Sequence, residues 1–461
     1  MTDLKFPKEF YENEIKYGFT ISEVMKRSWA SDIDNLFEIL TLCKRHSLKI
    51  FACYGTLLGA VREHGFIPWD DDIDMGLVGE DYVRFLDIAS KELGNKYRIL
   101  NPYTREWYTM NFTHITDAAE PNFNRTYLKD KHGCPFGTGP DVYPYYYIPR
   151  NPEEEQYILD LLEKIDLVIA MNRQSLASAN ADGSLKANSS LNAEIATKLV
   201  ELQYETGYEF ATDRPLENQL EILYDQVCRV TEEADADYVC RYDEYTKDRS
   251  KKFPKEYFGI TIDIPFENIT MPVPIGYDAI LRARFGGNYI IPKREAAAHG
   301  YPYYRKQLSG RDYLKEQLAD EKSRISDFGT VVNDNNSNVS NKTKVLYHTN
   351  IIDMLIHCDN ACENIKKDLD SYTKQDKIEF WWMPGVFPKS DECAWDEVAP
   401  DMISEYENMI EEYRRNGGKI CSISDNRDKV ANYFDEYYGD ESIFAEEFRL
   451  KGKKVDIKEY S

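Results

Sequence analysis

Along the first hundred residues the apolar positions keep changing period. Ile33, Leu36, Phe37, Ile39, Leu40 and Cys43 recur at helical spacing, which predicts a helix over about Asp32 to Cys43, opening after Ser31 or Asp32 as a cap. Lys49 to Tyr54 reads as a short strand, and Gly55 to Arg62 returns to helix. His64 to Trp69 is turn-like, Asp72 to Leu77 alternates as a strand does, Glu80 to Leu93 is again helical, and Tyr97 to Leu100 is β-prone. This order predicts a mixed α/β layer. Asn151-Pro152-Glu153-Glu154 then marks a helix start: Asn caps, Pro fits the first turn, and the acids suit the positive end of the dipole. Leu161, Leu162, Ile165, Val168 and Ile169 supply its buried face. A polar stretch from Ser178 to Asn192 reads as a loop, with helices following near Ala193 to Tyr204 and Glu217 to Ala234, so residues 151–235 form a helical insert.

The run from Ser326 to Thr343 is too polar to bury a core and reads as a linker, the clearest domain boundary in the chain. Beyond it, Lys344 to Tyr347, Lys377 to Met383, Lys419 to Ser424 and Lys453 to Ile457 are strand-like. They alternate with helical stretches Asp353 to Leu369, Asp401 to Arg415 and Asp428 to Tyr437. Residues 344–461 are therefore predicted to be a small parallel α/β domain, and residues 1–310 a larger domain that carries the insert.

Composition narrows the function classes. The 461 residues, 42% hydrophobic, suffice for two or three globular cores. Lys plus Arg number 57 and Asp plus Glu 81, so the net charge is −24, which argues against a bulk grip on nucleic acid or on an anionic membrane. The longest apolar run, Leu161 to Met171, is broken by Glu163, Lys164 and Asp166 and falls short of the roughly 20 residues a membrane span needs. Met1 to Glu14 has no apolar core of a secretory signal. The expectation is a cytoplasmic protein whose nine cysteines are thiols. His357, Cys358 and Cys362 lack two further ligands at finger-like spacing, and buried helix cysteines are expected there.

The densest chemistry lies between Tyr54 and Gly76. Gly55-Thr56 falls where a strand gives way to a helix, a place where free backbone N–H groups can receive a phosphate, with Arg62 two turns on to add charge. Trp69 leads an acidic run, Asp70-Asp71-Asp72-Ile73-Asp74. On a strand Asp72 and Asp74 share a face, as two carboxylates must to hold one or two divalent cations, while Asp71 points the other way. Four acids in five positions repel one another, and a cation relieves that cost. A third carboxylate is expected on a neighbouring strand. Asp141, in Gly139-Pro140-Asp141-Val142-Tyr143-Pro144, is the best candidate, although a turn Asp is an equally good reading of that spacing. Tyr143, Tyr145, Tyr146 and Tyr147 form an aromatic run beside it; a cage for a quaternary ammonium group and ordinary packing are the two readings, packing being the commoner.

The run Gly55-Thr56-Leu57-Leu58-Gly59-Ala60-Val61-Arg62 with Pro68-Trp69-Asp70-Asp71-Asp72-Ile73-Asp74 resembles the signature of LicD-type phosphotransferases, the bacterial phosphocholine transferases related to fukutin and fukutin-related protein. Gly139 to Pro144 resembles the family's later acid-bearing segment, and Pro272 to Pro292 its closing motif, so the likeness covers about Ile33 to Lys306. It implies a nucleotidyltransferase-like fold and metal-dependent transfer of a phospho-alcohol from a CDP-alcohol donor to a hydroxyl of a glycan or glycolipid acceptor. Products of this kind include lipopolysaccharide, teichoic acid and capsule. By the same resemblance Asp72, Asp74 and Asp141 are the catalytic acids that hold Mg²⁺ or Mn²⁺, with Asp141 also handling the acceptor hydroxyl. Gly55, Thr56, Arg62, Trp69, Asp70 and His299 are expected on the substrate side, and Arg284, Lys293 and Arg294 lie near the closing motif. That motif departs from the family where Gly287-Asn288 replaces a lone Asp. The alternative reaction is nucleotidyl transfer from a nucleoside triphosphate to a small molecule or protein, which releases pyrophosphate. A nucleotide-binding scaffold without turnover is the reading from another class; the presence of all three acids weighs against it. Tyr437-Tyr438-Gly439-Asp440 with Lys451 to Val455 resembles the tail of a Rossmann-like half domain appended to some LicD-type and cell-wall glycerophosphotransferase-like proteins.

Overall fold

The computed structural model describes residues 4–119, 121–122, 125–182, 189–294, 342–350, 353–354, 357, 360–385, 400–421, 427–440 and 442–458. The polar stretch 326–341, His299 and Cys358 lie outside them. The chain divides into two compact units, one of Met1–Lys5, Ser31–Ala119 and Gly137–Ala296, the other of Phe6–Ala30, Glu120–Phe136 and Ala297–Ser461.

A short hairpin, β1 (Glu14–Lys16) and β2 (Phe19–Ile21), precedes helix α1 (Glu23–Arg45). The helix starts nine residues before the predicted opening at Asp32. Its cap is Ser22, whose Oγ accepts the Met25 N–H at 3.3 Å. Ser28, Trp29, Ala30, Ser31, Asp32 and Ile33 are all buried, so the apolar stripe that marks a one-sided helix is lost there. Ser31 and Asp32 are mid-helix.

In the first unit β3 (Phe51–Ala52), α2 (Tyr54–Arg62), β4 (Asp74–Val78), α3 (Glu80–Glu92), β5 (Arg98–Leu100) and β6 (Thr113–Thr116) follow in order. After α4 (Arg125–Asp130) comes the long strand β7 (Asp141–Pro149). The sheet order is β3-β4-β7-β6-β5. β4 and β7 run parallel and the other pairs antiparallel, so the sheet is mixed. β4 opens at Asp74 rather than at Asp72, because Asp70 to Ile73 belong to the preceding turn and loop.

The far end of β7 pairs with β8 (Ala236–Cys240), which pairs with β9 (Lys252–Pro254). Between β7 and β8 lie three helices, α5 (Pro152–Asp182), α6 (Ser189–Thr206) and α7 (Leu216–Cys228). α5 starts as its sequence implies, Asn151 Oδ1 accepting the Glu153 N–H at 3.0 Å. It continues to Asp182, past the expected loop start at Ser178. Leu161, Leu162, Ile165, Val168 and Ile169 pack with Leu202 of α6 and Leu220 and Leu223 of α7 over Tyr146 and Ile148. Each such side chain contributes about 1.5–3 kcal/mol relative to exposure. The unit closes with α8 (Tyr242–Tyr245), the hairpin β10 (Thr261–Phe266) and β11 (Ile269–Pro274), and α9 (Tyr277–Phe285).

The second unit holds a wholly parallel sheet of β12 (Thr343–Thr349), β13 (Ile378–Pro384), β14 (Lys419–Ile420), β15 (Glu436–Gly439) and β16 (Lys454–Ile457), ordered β14-β13-β12-β15-β16. Helices α10 (Ala361–Thr373) and α11 (Pro400–Arg415) cover one face, and α12 (Arg427–Tyr433) and α13 (Ile443–Leu450) the other. This is a doubly wound arrangement. β15 corrects the predicted helix Asp428 to Tyr437: the helix stops at Tyr433, and Tyr437, only 1% exposed, lies in a central strand. Four residues with one fully buried side chain leave no readable period.

Candidate active site

Asp74 opens β4 under restraint from both sides. Its N–H donates to Thr56 Oγ1 at 2.8 Å, and its carbonyl accepts the Cys53 N–H at 3.0 Å. Gly55-Thr56 at the start of α2 thus fixes the first residue of the strand. On the other side the Asp141 N–H donates to the Ile73 carbonyl at 2.9 Å, and parallel pairing sets Asp141 directly across from Asp74. The third acid predicted on a neighbouring strand stands beside Asp74. β6 places His114 opposite Asp141 in antiparallel register, with Nδ1 2.6 Å from Asp141 Oδ1. Burial disfavours the imidazolium, but the Asp141 charge and hydrogen bond outweigh it and raise the His114 pKa.

Asp70, Asp71 and Asp72 curl over this row, each with an oxygen within 4.8 Å of the others. Asp71 is buried rather than turned away, since alternation does not govern a residue before the strand begins. Gly55 makes room for Asp70, whose carboxylate would overlap a Cβ at position 55. The positive end of α2, expected to face a phosphate, therefore has an Asp70 oxygen beside it. Gly55→Ala should displace that carboxylate and lower turnover about tenfold with stability changed by less than about 1 kcal/mol; steady-state rates beside a thermal melt check it, and an unchanged rate would take Asp70 out of the site.

The acids shape one another's protonation. Burial drives the Asp74 pKa well above the usual carboxylate range, Asp72, Asp141 and Asp70 push it further, and a hydrogen bond from Tyr143 pulls back. Asp32, on α1, is raised by burial and by Asp117, Asp72 and Asp71, against a backbone hydrogen bond from Gly139. Asp74 Oδ1 is buried with no hydrogen-bond partner among the described residues. An orphaned carboxylate oxygen amid repelling acids fits a divalent cation, the group whose charge removes both penalties.

The other expected site residues occupy varied places. Arg62 is tied to Glu63 at 2.7 Å and donates to the Tyr289 carbonyl at 3.2 Å, joining α2 to the segment after α9. Trp69 is half-buried in the turn before the acids. Arg284 grips Glu244 through two hydrogen bonds of 3.0 and 2.7 Å and lies 4.3 Å from the Tyr54 ring centroid. Lys293 and Arg294 are exposed.

The four tyrosines of β7 do not make one cage. Tyr146 faces the helices and donates to Asp225 at 2.6 Å, while Tyr145 packs against Phe51 and Phe258. Tyr143 already has Arg241 over its ring, 4.3 Å from the centroid. His114, Asp32 and Arg241 were not legible as site residues, since none stands in a motif and only sheet register or helix packing brings them here; Asp71 stands in the acidic run but reads there as pointing away.

Residues 47–148, from before β3 into β7, match the family described as LicD/FKTN/FKRP, nucleotidyltransferase domain. The chain thus carries a LicD-type domain. It is a phosphotransferase with a nucleotidyltransferase-like fold. The lipopolysaccharide cholinephosphotransferase LicD of Haemophilus influenzae is 27% identical over 260 residues, covering 55% of this chain and 87% of that protein. An uncharacterized protein of Rickettsia typhi is 41% identical over 83 residues, 18% of this chain and 25% of that one. One from Rickettsia prowazekii is 45% identical over 51 residues, 11% of this chain and 18% of its own. All the acids from Asp70 to Asp141 lie inside the matched LicD region. Among the described residues no helix is long and apolar enough to cross a membrane.

Proposed function

We propose that this LicD-type protein transfers phosphocholine, or a similar phospho-alcohol, from a CDP-alcohol to a hydroxyl of a glycan or glycolipid precursor in the cytoplasm. The reading is carried by the acid row: Asp74 buried, orphaned at Oδ1 and paired across the sheet with Asp141. The likeness to a lipopolysaccharide cholinephosphotransferase points to the substrate class.

Asp72, Asp74 and Asp141 would hold Mg²⁺ or Mn²⁺, which when bound neutralises diphosphate charge and stabilises the departing CMP. The chain's own residues do the remaining work. Thr56 and the β4–β7 register keep Asp74 in place as substrate enters, so no reorganisation is needed at the moment of reaction. His114 holds Asp141 Oδ1, which leaves the second oxygen of that acid to take the acceptor hydroxyl proton. The acceptor oxygen then bonds to the phosphorus that carries the alcohol, the bridging P–O bond breaks, and CMP leaves.

Phosphorus NMR with mass spectrometry tests this on the whole protein, supplied with Mg²⁺ or Mn²⁺, a sugar acceptor pool, and CDP-choline, CDP-ribitol, CDP-glycerol or nucleoside triphosphates. The expected result is CMP release with phosphocholine on the acceptor. Pyrophosphate release from a triphosphate would replace this reading with nucleotidyl transfer.

A further inference from the structure

We infer that the segment after α9, Phe285 to Arg294, is a docking surface for an anionic lipid bilayer, with Phe285, Ile290 and Ile291 entering the apolar boundary and Lys293 and Arg294 meeting lipid phosphates. The inference uses none of the acids of the proposed transfer site and takes from that reading only the lipid character of the acceptor.

This part of the sequence departs from the rest of the chain. The net charge is −24, yet Ile280 to Arg294 holds Arg282, Arg284, Lys293 and Arg294 and no acid. Between Glu267 and Glu295 the one carboxylate is Asp278, which accepts from Arg282 Nε at 2.8 Å and from the Tyr289 hydroxyl at 2.7 Å. The negative total does not bar such a segment from an anionic surface. At physiological salt the Debye length is about 8 Å, so only charges close to the lipid are felt.

Large apolar side chains stand out in water beside these cations. Ile290 is 57% exposed, Ile291 64% and Phe285 42%. They flank the turn Gly286-Gly287-Asn288, a place where polar residues are the rule. The exposure follows from how the backbone is pinned. Tyr289 takes the inward position, buried, with its hydroxyl on Asp278 and its carbonyl accepting from Arg62 Nη1 at 3.2 Å. Arg282 Nη1 donates to the Gly287 carbonyl at 3.2 Å, the Gly286 N–H to the Arg282 carbonyl at 3.0 Å, and the Ile291 N–H to the Asn288 carbonyl at 2.9 Å. With Tyr289 held inward, Ile290 and Ile291 are kept in solvent, the kind of apolar exposure that marks an interaction surface.

Apolar insertion and basic charge are each weak anchors for a bilayer, and together they give reversible attachment. The same hydrogen bonds tie the surface to the acids. Helix α2 carries Arg62 at one end and Thr56, which fixes Asp74, about 9 Å along its axis. That link favours a lipid surface over a protein one, because the glycolipid acceptor of the proposed reaction resides in such a surface.

Flotation of the full chain with vesicles of equal parts phosphatidylglycerol and phosphatidylethanolamine tests this without donor or acceptor. Binding is expected, and it should weaken at least tenfold when salt is raised from about 0.1 M to about 1 M, where the Debye length shrinks to about 3 Å. Ile290→Ser with Ile291→Ser, and separately Lys293→Glu with Arg294→Glu, should each lower partitioning about tenfold, with the thermal melt unchanged. Tyr204→Ser, which removes an exposed side chain of α6, should leave partitioning as it was. Absence of binding by the unaltered protein, or binding that both double variants retain, overturns the inference. Equal binding to vesicles of phosphatidylcholine alone would mean capture of the choline headgroup and overturns it too. A dimer seen by sedimentation without vesicles and lost in the Ile290→Ser, Ile291→Ser protein would assign the surface to contact between copies instead. None of these readings involves turnover, so each failure leaves the transfer reading standing.

Discussion

Asp74→Asn is expected to lower turnover by about a hundred- to a thousandfold and at the same time to raise the melting temperature of the metal-free protein. Asp74 is 8% exposed, and Asp72, Asp141 and Asp70 all raise its pKa. Three like charges around a buried carboxylate are a cost to the fold, one that the proposed reaction would require. Asn keeps the shape but carries no charge, so about 1–2 kcal/mol of repulsion and desolvation should be recovered. Loss of stabilisation of the departing phosphate accounts for the fall in rate. The pair of measurements is CMP release under saturating donor and a thermal melt in chelator. An active variant would remove Asp74 from the site, and a lower melting temperature would show that the acids do not strain the fold.

The second unit is expected to lose about 3 kcal/mol of stability between pH 6.5 and pH 4, through His348 alone. His348 on β12 is 5% exposed, and burial pushes its pKa from 6.5 down to about 4. The folded chain thus refuses a proton that the unfolded chain accepts. Above about pH 6.5 the imidazole is neutral in both states and its contribution is fully present. As pH falls toward 4 the unfolded state gains protons first, so stability drops; below 4 both states are charged and the loss stops. At about 1.36 kcal/mol per pKa unit, the depression of 2.5 units from 6.5 to 4 gives the stated size. Hydrogen exchange of the β12 and β15 amides across this range, compared with His348→Gln, reads it directly. Equal pH slopes in the two proteins would show that His348 is protonated in the folded state.

The acid-rich turn and the Gly-Thr helix start were legible because they are local: a run of six residues and a strand-to-helix junction carry their chemistry whatever surrounds them. The insert was legible for a related reason, since α5 announces itself with Asn151, Pro152 and a regular apolar stripe. Asp141 could be named by its Gly-Pro turn and β-prone run, but its place across from Asp74 is a matter of register. The start of α1 and the strand β15 were missed because their burial has no period: α1 is buried all round near Trp29, and β15 has only four residues.

By itself the sequence determined the class of the protein and singled out the stretch of chain and the acids proposed to meet a cation, because helix caps, turn residues and clustered charge act over a few bonds. Only the tertiary structure decided which groups face those acids. His114, Asp32 and Arg241 are 27 to 167 residues from Asp141 or Asp74, and strand pairing and helix packing bring them together. The physical reason is that a side chain's pKa, its free lone pairs and the ligand geometry it offers depend on what lies within about 4–6 Å, and that neighbourhood is set by the fold.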